Sequence, residues 1–353
     1  MNSRGSHAIV GTLRLMLNAL LLISAANAQV SESETRHEDS DIAKLAAITR
    51  ADHSTIFFHG LIKSGYVRDG NIQIMTLKRA DAPSPLKCRG EAISRDGTRI
   101  AYVTTRDEAR GCHIVILDFK SGEVMKLPDT EVSGSILSWS WDDKEIAYVG
   151  GRKLNLLKQE YMGPGAVVAV SLADGRQRTV AWLPLRIVGK PPGEVGNLLS
   201  IDWLHKRSEL VVDVSICVPI RDPWPGTCRV EVHTLLLSSE NSRVLAVGGE
   251  AAVSPVVDHI AFVAQDGVWV IEADGSKRRR ITTVPSVAFF LPFFKEETGW
   301  SKVVWSPSGD RILFNTIIGE EFFNNFYLVD FKSGKRRQVL KKSLLDITAW
   351  RGR

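Results

Sequence analysis

A spacing of seven residues recurs five times along the chain. In each copy a short apolar strand closes at one residue, and a second strand begins seven residues later. The closing residues are Ile93, Trp139, Trp203, Val253 and Trp305, and the second strands begin at Ile100, Ile146, Leu210, Ile260 and Ile312. Helical periodicity is nearly absent after about residue 52. The spacing therefore predicts a repeated antiparallel hairpin in an all-β chain.

A third strand, a second tight turn and a fourth strand follow the hairpin in most copies. The second turns contain Ser121-Gly122, Asp174-Gly175, Asp274-Gly275 and Ser333-Gly334. Glycine accepts the positive φ that such turns demand. Four antiparallel strands in roughly 45 to 60 residues are the pattern of a β-propeller blade.

A sixth copy is divided between the two ends of the chain. Residues 345–350 resemble a first strand that ends in Trp, and residues 55–59, 71–77 and 86–88 resemble second, third and fourth strands without a first. Joining the two parts completes a blade and protects its open edge. We therefore expect residues 52–353 to form a six-bladed β-propeller of four-stranded antiparallel blades, closed by the C-terminal strand joining the first blade.

Two segments carry a resemblance to a known family. Residues 305–314, which begin Trp305-Ser306-Pro307-Ser308-Gly309, and residues 93–102 resemble the repeat of TolB-like propellers, which are WD40-like. The resemblance implies a six-bladed propeller, often periplasmic, that usually binds proteins. TolB itself has an α/β domain before its propeller, and we expect residues 29–51 to be too short for one.

The first 28 residues have the pattern of a secretion signal. Arg4 and Arg14 precede or flank an apolar run over residues 15–25, and Ala26-Asn27-Ala28 is a small-x-small cleavage site. The run is shorter than the roughly 20 residues that span a bilayer. We predict a cleaved signal peptide at 1–28, with a retained anchor as the alternative. Residues 29–51 are predicted to be a flexible polar leader, and the alternatives are a short helix within it or an arm that docks a partner. The remaining chain is expected in the periplasm or outside the cell, with no transmembrane segment.

Composition and motifs limit the function classes. Hydrophobic residues make up 44% and charged residues 24% of the chain, which excludes a disordered protein, and a net charge of +5 is weak support for nucleic-acid binding. The sequence contains no nucleophile elbow, zinc-protease motif, phosphate loop or dinucleotide fingerprint. We therefore expect no cofactor, no metal and no nucleic-acid partner, and we identify no catalytic residue.

The long, irregular connections between strands all emerge on one face of the predicted propeller, and variable loops on a rigid scaffold are where binding residues concentrate. We call this the long-loop face. Its partner-binding candidates are Arg221, Trp224, Phe289, Phe290, Phe293, Phe294, Phe322 and Phe323. The phenylalanines form either an exposed docking patch or a buried hydrophobic group, which caps the central channel or fills the gap between blades five and six.

Basic runs at 277–280, 335–337 and 341–342 fall on or beside predicted fourth strands. They either block edge-to-edge pairing of blades or bind anionic polymers and lipid headgroups.

Four cysteines occur in a chain that we expect in an oxidising compartment, which favours two disulfides. Cys217 and Cys228 lie at the same end of adjacent antiparallel strands, so they satisfy the distance that a disulfide needs. Cys88 and Cys112 lie at the same end of strands two apart, and their loops must converge to join them.

The function predicted from these observations is binding, by a monomer, of a protein or peptide of the cell envelope through the long-loop face. The alternative is a propeller enzyme, a lyase or hydrolase acting on a polysaccharide or small metabolite at the channel mouth. Propeller enzymes assemble such sites from single residues on different blades. Two or three histidines with a carboxylate at the channel mouth would favour the enzyme.

Overall fold

The structure is a computed structural model. It describes residues 49, 53–59, 72–75, 90–105, 112–127, 130, 132–150, 153–155, 160–162, 165–183, 186–187, 196–205, 209–217, 228–237, 241–264, 266–283, 302–318, 323–343 and 346–352. Among these residues, no helix is long and apolar enough to cross a membrane.

The described residues form 26 strands, numbered in chain order. The strands in the first part of the chain are β1 (Ser54–His59), β2 (Ile72–Met75), β3 (Glu91–Ile93), β4 (Arg99–Thr105), β5 (Cys112–Asp118), β6 (Val124–Lys126), β7 (Val132–Trp139), β8 (Glu145–Gly150), β9 (Lys153–Asn155), β10 (Glu160–Met162), β11 (Gly165–Ser171), β12 (Gln177–Leu183) and β13 (Arg186–Ile187). Those in the second part are β14 (Gly196–Trp203), β15 (Glu209–Cys217), β16 (Cys228–Leu236), β17 (Asn241–Val247), β18 (Gly249–Val253), β19 (His259–Ala264), β20 (Gly267–Glu272), β21 (Arg279–Thr282), β22 (Val303–Trp305), β23 (Arg311–Ile318), β24 (Phe323–Asp330), β25 (Arg336–Ser343) and β26 (Asp346–Gly352).

The strands assemble into a propeller of four-stranded antiparallel blades. The four-stranded units are β3 to β6, then β7, β8, β11 and β12, then β14 to β17, β18 to β21 and β22 to β25. We number them blades 2 to 6, and we give the label blade 1 to the three-stranded sheet of β2, β1 and β26, in which β26 and β1 pair antiparallel. The seven-residue spacing predicted the hairpin that opens each unit from blade 2 to blade 6.

Four parts of the topology differ from the predicted pattern. Blades 2 and 3 belong to one eight-stranded sheet, because Cys112 of β5 pairs with Val132 of β7. In blade 1, β2 pairs with β1 in parallel, whereas the repeat predicted antiparallel pairing. The connection from residue 60 to residue 71 has the length that a parallel crossover needs. The short strand β13 adds in parallel to the outer strand β17, and β9 and β10 form a separate hairpin within the insertion of blade 3.

Serine stabilises the short turn after the inner strand. The Oγ of Ser94 accepts a hydrogen bond from the N–H of Arg99 at 2.9 Å, and the same bond joins Ser140 to Glu145 and Ser306 to Arg311. Each serine carbonyl also accepts a bond from the residue three positions later. Two of those later residues are glycines with φ near +70°, Gly97 and Gly309. A Cβ on Gly309 would approach Val256 of the neighbouring blade at 2.4 Å, so this turn needs glycine for space as well as for φ.

The hydrophobic core is distributed between neighbouring blades. Separate buried clusters join blade 1 to 2, 2 to 3, 3 to 4, 4 to 5 and 5 to 6. This distribution follows from strands that bury both faces, because blades 2 to 5 each pack between two others. The inner strands of these blades are therefore fixed from both sides.

Tryptophan indoles connect consecutive inner strands. The Nε1 of Trp139 donates to the carbonyl of Ala92 at 2.8 Å, that of Trp203 to Ser138 at 3.2 Å, and that of Trp305 to Ala252 at 3.0 Å. In each case the acceptor lies one residue before the end of the preceding inner strand. Trp350 differs, since its indole donates to the Oγ of Ser54 within its own blade.

We predict that Trp305→Phe lowers the free energy of unfolding by about 1–2 kcal/mol, because the partly buried carbonyl of Ala252 loses its indole donor. Chemical denaturation measures the change. Trp182→Phe is the matched control, since Trp182 is 52% exposed. Equal stability of Trp305→Phe and the wild type would show that the indole bond does not hold the blades together.

Candidate functional site

The inner strands surround a central cavity of about 200 Å³. Six inner strands contribute to its described walls, namely β3, β7, β14, β18, β22 and β26. Each inner strand of blades 2 to 6 ends at a short turn. Its first residues therefore lie on the long-loop face, and its last residues lie on the opposite face, which carries the short turns. We call these two regions of the cavity the loop end and the turn end. Ligand pockets for drug-sized molecules occupy roughly 300–1,000 Å³, so this cavity suits a small ligand or one part of a larger one.

Charged residues of both signs lie at the loop end. Glu91 and Glu250 lie at the starts of β3 and β18, and Lys302 directly precedes β22. The Oγ1 of Thr348 donates a hydrogen bond to Glu91 at 2.9 Å, which links β26 to β3 and orients that carboxylate. The loop end therefore carries two carboxylates and an ammonium group from three separate blades.

The Asp202 carboxylate connects several blades at the turn end. Its Oδ1 accepts bonds from the Oγ of Ser138 at 3.3 Å and from the N–H of Trp203 at 2.9 Å, and it forms an ion pair with Arg95. Its Oδ2 accepts from the N–H of Val253 at 2.9 Å. These donors belong to blades 2, 3, 4 and 5, and three of them share Oδ1 while one reaches Oδ2.

Asp143 holds the turn that carries Arg95. Its φ of 56° lies in the left-handed region, and the equivalent turn positions of blades 2 and 6 are occupied by Gly97 and Gly309. Its Oδ1 accepts from the N–H of Arg95 at 2.6 Å, and its Oδ2 accepts from the N–H of Asp96 at 2.9 Å. Burial raises the pKa of Asp143 against the opposing effect of these two bonds. The contact fixes one blade's turn against the next.

Arg351 lies beside Arg95 at the turn end. Its Nε donates to the carbonyl of Ser94 at 3.1 Å and its Nη1 to the carbonyl of Trp350 at 3.2 Å. Burial, and then the positive charge of Arg95, lower the pKa of Arg351 to about 10, and Asp202 opposes this shift. The turn end thus holds two guanidinium groups close enough to repel each other.

Asp213 lies behind the cavity wall, between blades 4 and 5. Its Oδ2 accepts from the Oγ of Ser200 at 2.6 Å and from the N–H of Ala251 at 3.0 Å. A bulge in β18, between Gly249 and Ala252, interrupts the ladder where Ala251 lies. The Oδ1 of Asp213 has no hydrogen-bond partner within the described part of the chain. Burial raises the pKa of Asp213 to about 6.

Most of the predicted partner-binding residues lie outside the described residues. These are Arg221, Trp224, Phe289, Phe290, Phe293, Phe294 and Phe322. Phe323 is the first residue of β24, and the structure describes its backbone position. The choice between a docking patch and a hydrophobic cap therefore stays a prediction.

Two of the cysteines are register partners. Cys217 and Cys228 lie directly opposite each other in the antiparallel pair of β15 and β16. Cys112 is buried at the start of β5. Cys88 lies outside the described residues, and both predicted pairings stay predictions.

The histidines with described side chains are distributed over different blades. Nδ1 of His113 lies 3.1 Å from the carbonyl oxygen of Thr130, and the His259 ring packs 5.5 Å from the Phe331 ring. His233 is fully buried between Ser242 and Glu231, at 3.1 Å from each. The described lining of the cavity includes no histidine.

The basic run at 277–280 interacts with its own propeller. Lys277 pairs with Glu272 at 2.8 Å, and Arg280 pairs with Asp266 at 2.9 Å. The guanidinium of Arg278 lies 4.5 Å from the centre of the Trp269 ring, and that of Arg279 lies 4.4 Å from the Phe331 ring in the next blade. Three of these contacts lie within blade 5, and the contact of Arg279 with Phe331 joins blade 5 to blade 6.

Motif analysis did not identify Arg95, Asp202 and Arg351, because they come from three blades. The repeat alignment contains a signal for two of them. The residue before the closing position is Ala92, Ser138, Asp202, Ala252 and Val304 in blades 2 to 6, so Asp202 is the one charge among these five. Arg351 occupies the position that holds serine in most of the other blades.

Comparisons with known proteins agree with the fold. No family model and no curated protein matches the sequence. TolB from Acinetobacter baumannii is similar over 75% of this chain and 57% of that one, with a TM-score of 0.51 and 12% identity. The chain is also similar to an oligogalacturonate lyase from Vibrio parahaemolyticus, over 80% of this chain and 72% of that one, with a TM-score of 0.46 and 14% identity. A third similar structure is the β-propeller domain of the Trilobed protease from Pyrococcus furiosus, over 71% of this chain and 70% of that one, with a TM-score of 0.41 and 14% identity. The chain has a TolB-like propeller fold and spans little more than half of that TolB.

The raised pKa of Asp213 predicts a pH-dependent stability. Because the folded-state pKa of about 6 exceeds the ordinary 3.8, the folded state binds this proton more tightly than the unfolded state. The resulting stabilisation is complete below about pH 4 and is lost as the pH rises through about 6. It amounts to about 3 kcal/mol. Asp213→Asn, which resembles the protonated form, should raise stability at pH 8 and leave it nearly unchanged at pH 4.

Asp118→Asn is the control of opposite sign, since N–H groups of Ser121 and Lys120 lower the pKa of that exposed carboxylate. This variant should lose stability at pH 8. Thermal unfolding between pH 4 and pH 8 measures both variants. An Asp213→Asn variant that is less stable than the wild type at pH 8 would contradict the raised pKa of the buried Asp213 carboxyl.

Proposed function

We propose that this chain is a non-catalytic propeller of the periplasm or the extracellular space, and that it binds a protein or peptide partner at its long-loop face. One observation carries the proposal: Glu91, Glu250 and Lys302 meet at the loop end of the cavity from three different blades. A peptide offers both ammonium or amide donors and carbonyl or carboxylate acceptors, which match groups of both signs. Because the cavity is small, it would take one side chain or terminus, and the surrounding connections would contact the rest.

Rigid positioning of these groups supports binding. The inner strands are packed from both sides, so the charged residues at their starts lose little freedom when a partner binds, which reduces the entropic cost of association. The resemblance to TolB-like propellers, which implies periplasmic protein binding, supports the same conclusion. The signal peptide at 1–28 and the leader at 29–51 belong to this proposal, since they would place the mature chain outside the cytoplasm.

The proposal includes a six-bladed ring that is closed by the C-terminal strand. Two observations support it: six inner strands line one cavity, and β26 pairs with β1 over the register from Ser54 opposite Gly352 to His59 opposite Asp346. It also includes disulfides Cys217–Cys228 and Cys88–Cys112, which would form in an oxidising compartment. Register opposition of Cys217 and Cys228 supports the first pairing.

Charge reversal at the loop end tests the proposed function. Lys302→Glu should weaken capture of the partner at least tenfold, because it replaces a cationic donor by an anion next to Glu91 and Glu250. The partner is isolated from a cell-envelope fraction by cross-linking to the wild type, and its affinity for each variant is then measured by surface plasmon resonance.

Lys335→Glu is the matched control, since Lys335 is exposed at the outer edge of the same four-stranded unit. It should bind the partner as the wild type does. Equal binding by Lys302→Glu and Lys335→Glu, with both variants folded, would refute binding at the loop end.

A further inference from the structure

The turn end of the cavity has a chemistry that the proposed function does not use. Arg95 and Arg351 both line the cavity there, and their positive charges are close enough for Arg95 to lower the pKa of Arg351. The proposed partner site is at the opposite end. The two sites therefore have separate residues and separate tests.

Both guanidinium groups retain unused donors. Arg351 donates from Nε and Nη1 to backbone carbonyls, and its Nη2 makes no hydrogen bond within the described part of the chain. Arg95 donates from Nη2 to Asp202 and to the carbonyl of Trp139, and among the same residues its Nη1 has no acceptor. The unused N–H donors therefore belong to two guanidinium groups that line the same cavity.

The local carboxylates act on Arg351 at a distance, where Asp202 and Asp143 raise its pKa, but both are engaged with other donors. Asp202 pairs with Arg95 and accepts three further bonds, of which two reach Oδ1 and one reaches Oδ2. Asp143 is engaged with the backbone N–H groups of Arg95 and Asp96. No carboxylate among the described residues forms an ion pair with Arg351. A partly desolvated cation without a direct counter-ion is costly, and an anionic ligand would offset that cost.

We propose that Arg95 and Arg351 form an oxyanion-binding site at the turn end of the central cavity, which takes a carboxylate or phosphate group of a small ligand. Guanidinium groups match both anions through paired N–H donors. The cavity of about 200 Å³ has room for several waters of about 30 Å³ each, and a small anion would replace some of them.

The site is tested by isothermal titration calorimetry of the purified protein, with inorganic phosphate in one series and succinate in the other. Sodium chloride keeps the ionic strength constant, so that general screening does not change between injections. We expect saturable one-site binding of at least one anion. Binding of phosphate alone identifies a phosphate group as the ligand chemistry, and binding of succinate alone identifies a carboxylate. Binding of neither overturns the proposal.

Arg351→Gln removes the charge while retaining a donor for the carbonyl of Ser94, and it should weaken anion binding at least tenfold. Arg176→Gln is the matched control, since the Arg176 side chain is 87% exposed on the outer part of blade 3, and it should bind as the wild type does. Equal affinity of Arg351→Gln and the wild type overturns the proposal.

A measurement on the wild type covers the case in which Arg351→Gln does not fold. Titration with the bound anion should shift the Nε–Hε NMR signals of Arg95 and Arg351 with the same dissociation constant as calorimetry. Signals that stay in place while other arginine signals move would place the anion elsewhere and overturn the site.

Discussion

The carboxylate of Asp202 joins more of the propeller than any hydrophobic contact around the cavity does. It accepts hydrogen bonds from blades 3, 4 and 5 and an ion pair from blade 2. A carboxylate inside a protein needs its acceptor positions filled, because the loss of hydration is otherwise uncompensated. Blades 2 to 5 must therefore keep their inner strands at fixed separations. The width of the turn end and the position of Arg95 both depend on this requirement.

The propeller around this carboxylate holds two kinds of chemistry apart. The loop end combines Glu91, Glu250 and Lys302, and the turn end combines Arg95 and Arg351. All five lie on inner strands or directly beside their ends, whereas most of the predicted aromatic candidates belong to long connections. Such a scaffold can change its loops without moving the charges in its cavity, which is how one fold serves different binding functions.

The sequence predicted the repeated elements well because their causes are local. Serine, glycine and a closing tryptophan act within about seven residues of each other, so the turns and inner strands of blades 2 to 6 could be located from spacing. The pairing of Arg95 with Asp202 spans 107 positions, and no local pattern predicts it. The parallel pairing of β1 and β2 was also missed, since a long connection permits either direction. Asp202 could have been found as an unusual charge in the repeat alignment, although its partners could not.

Hydrogen–deuterium exchange of Asp202→Ala, measured by mass spectrometry against the wild type, tests the central role of this carboxylate most directly. Removal of the carboxylate leaves its four donors without their common acceptor. Exchange should therefore increase in the inner strands β3, β7, β14 and β18, which belong to four blades. The outer strand β21 should keep its protection, because none of its residues contacts Asp202. An increase restricted to β14 would contradict the account, since it would show that Asp202 stabilises its own strand and does not hold the blades together.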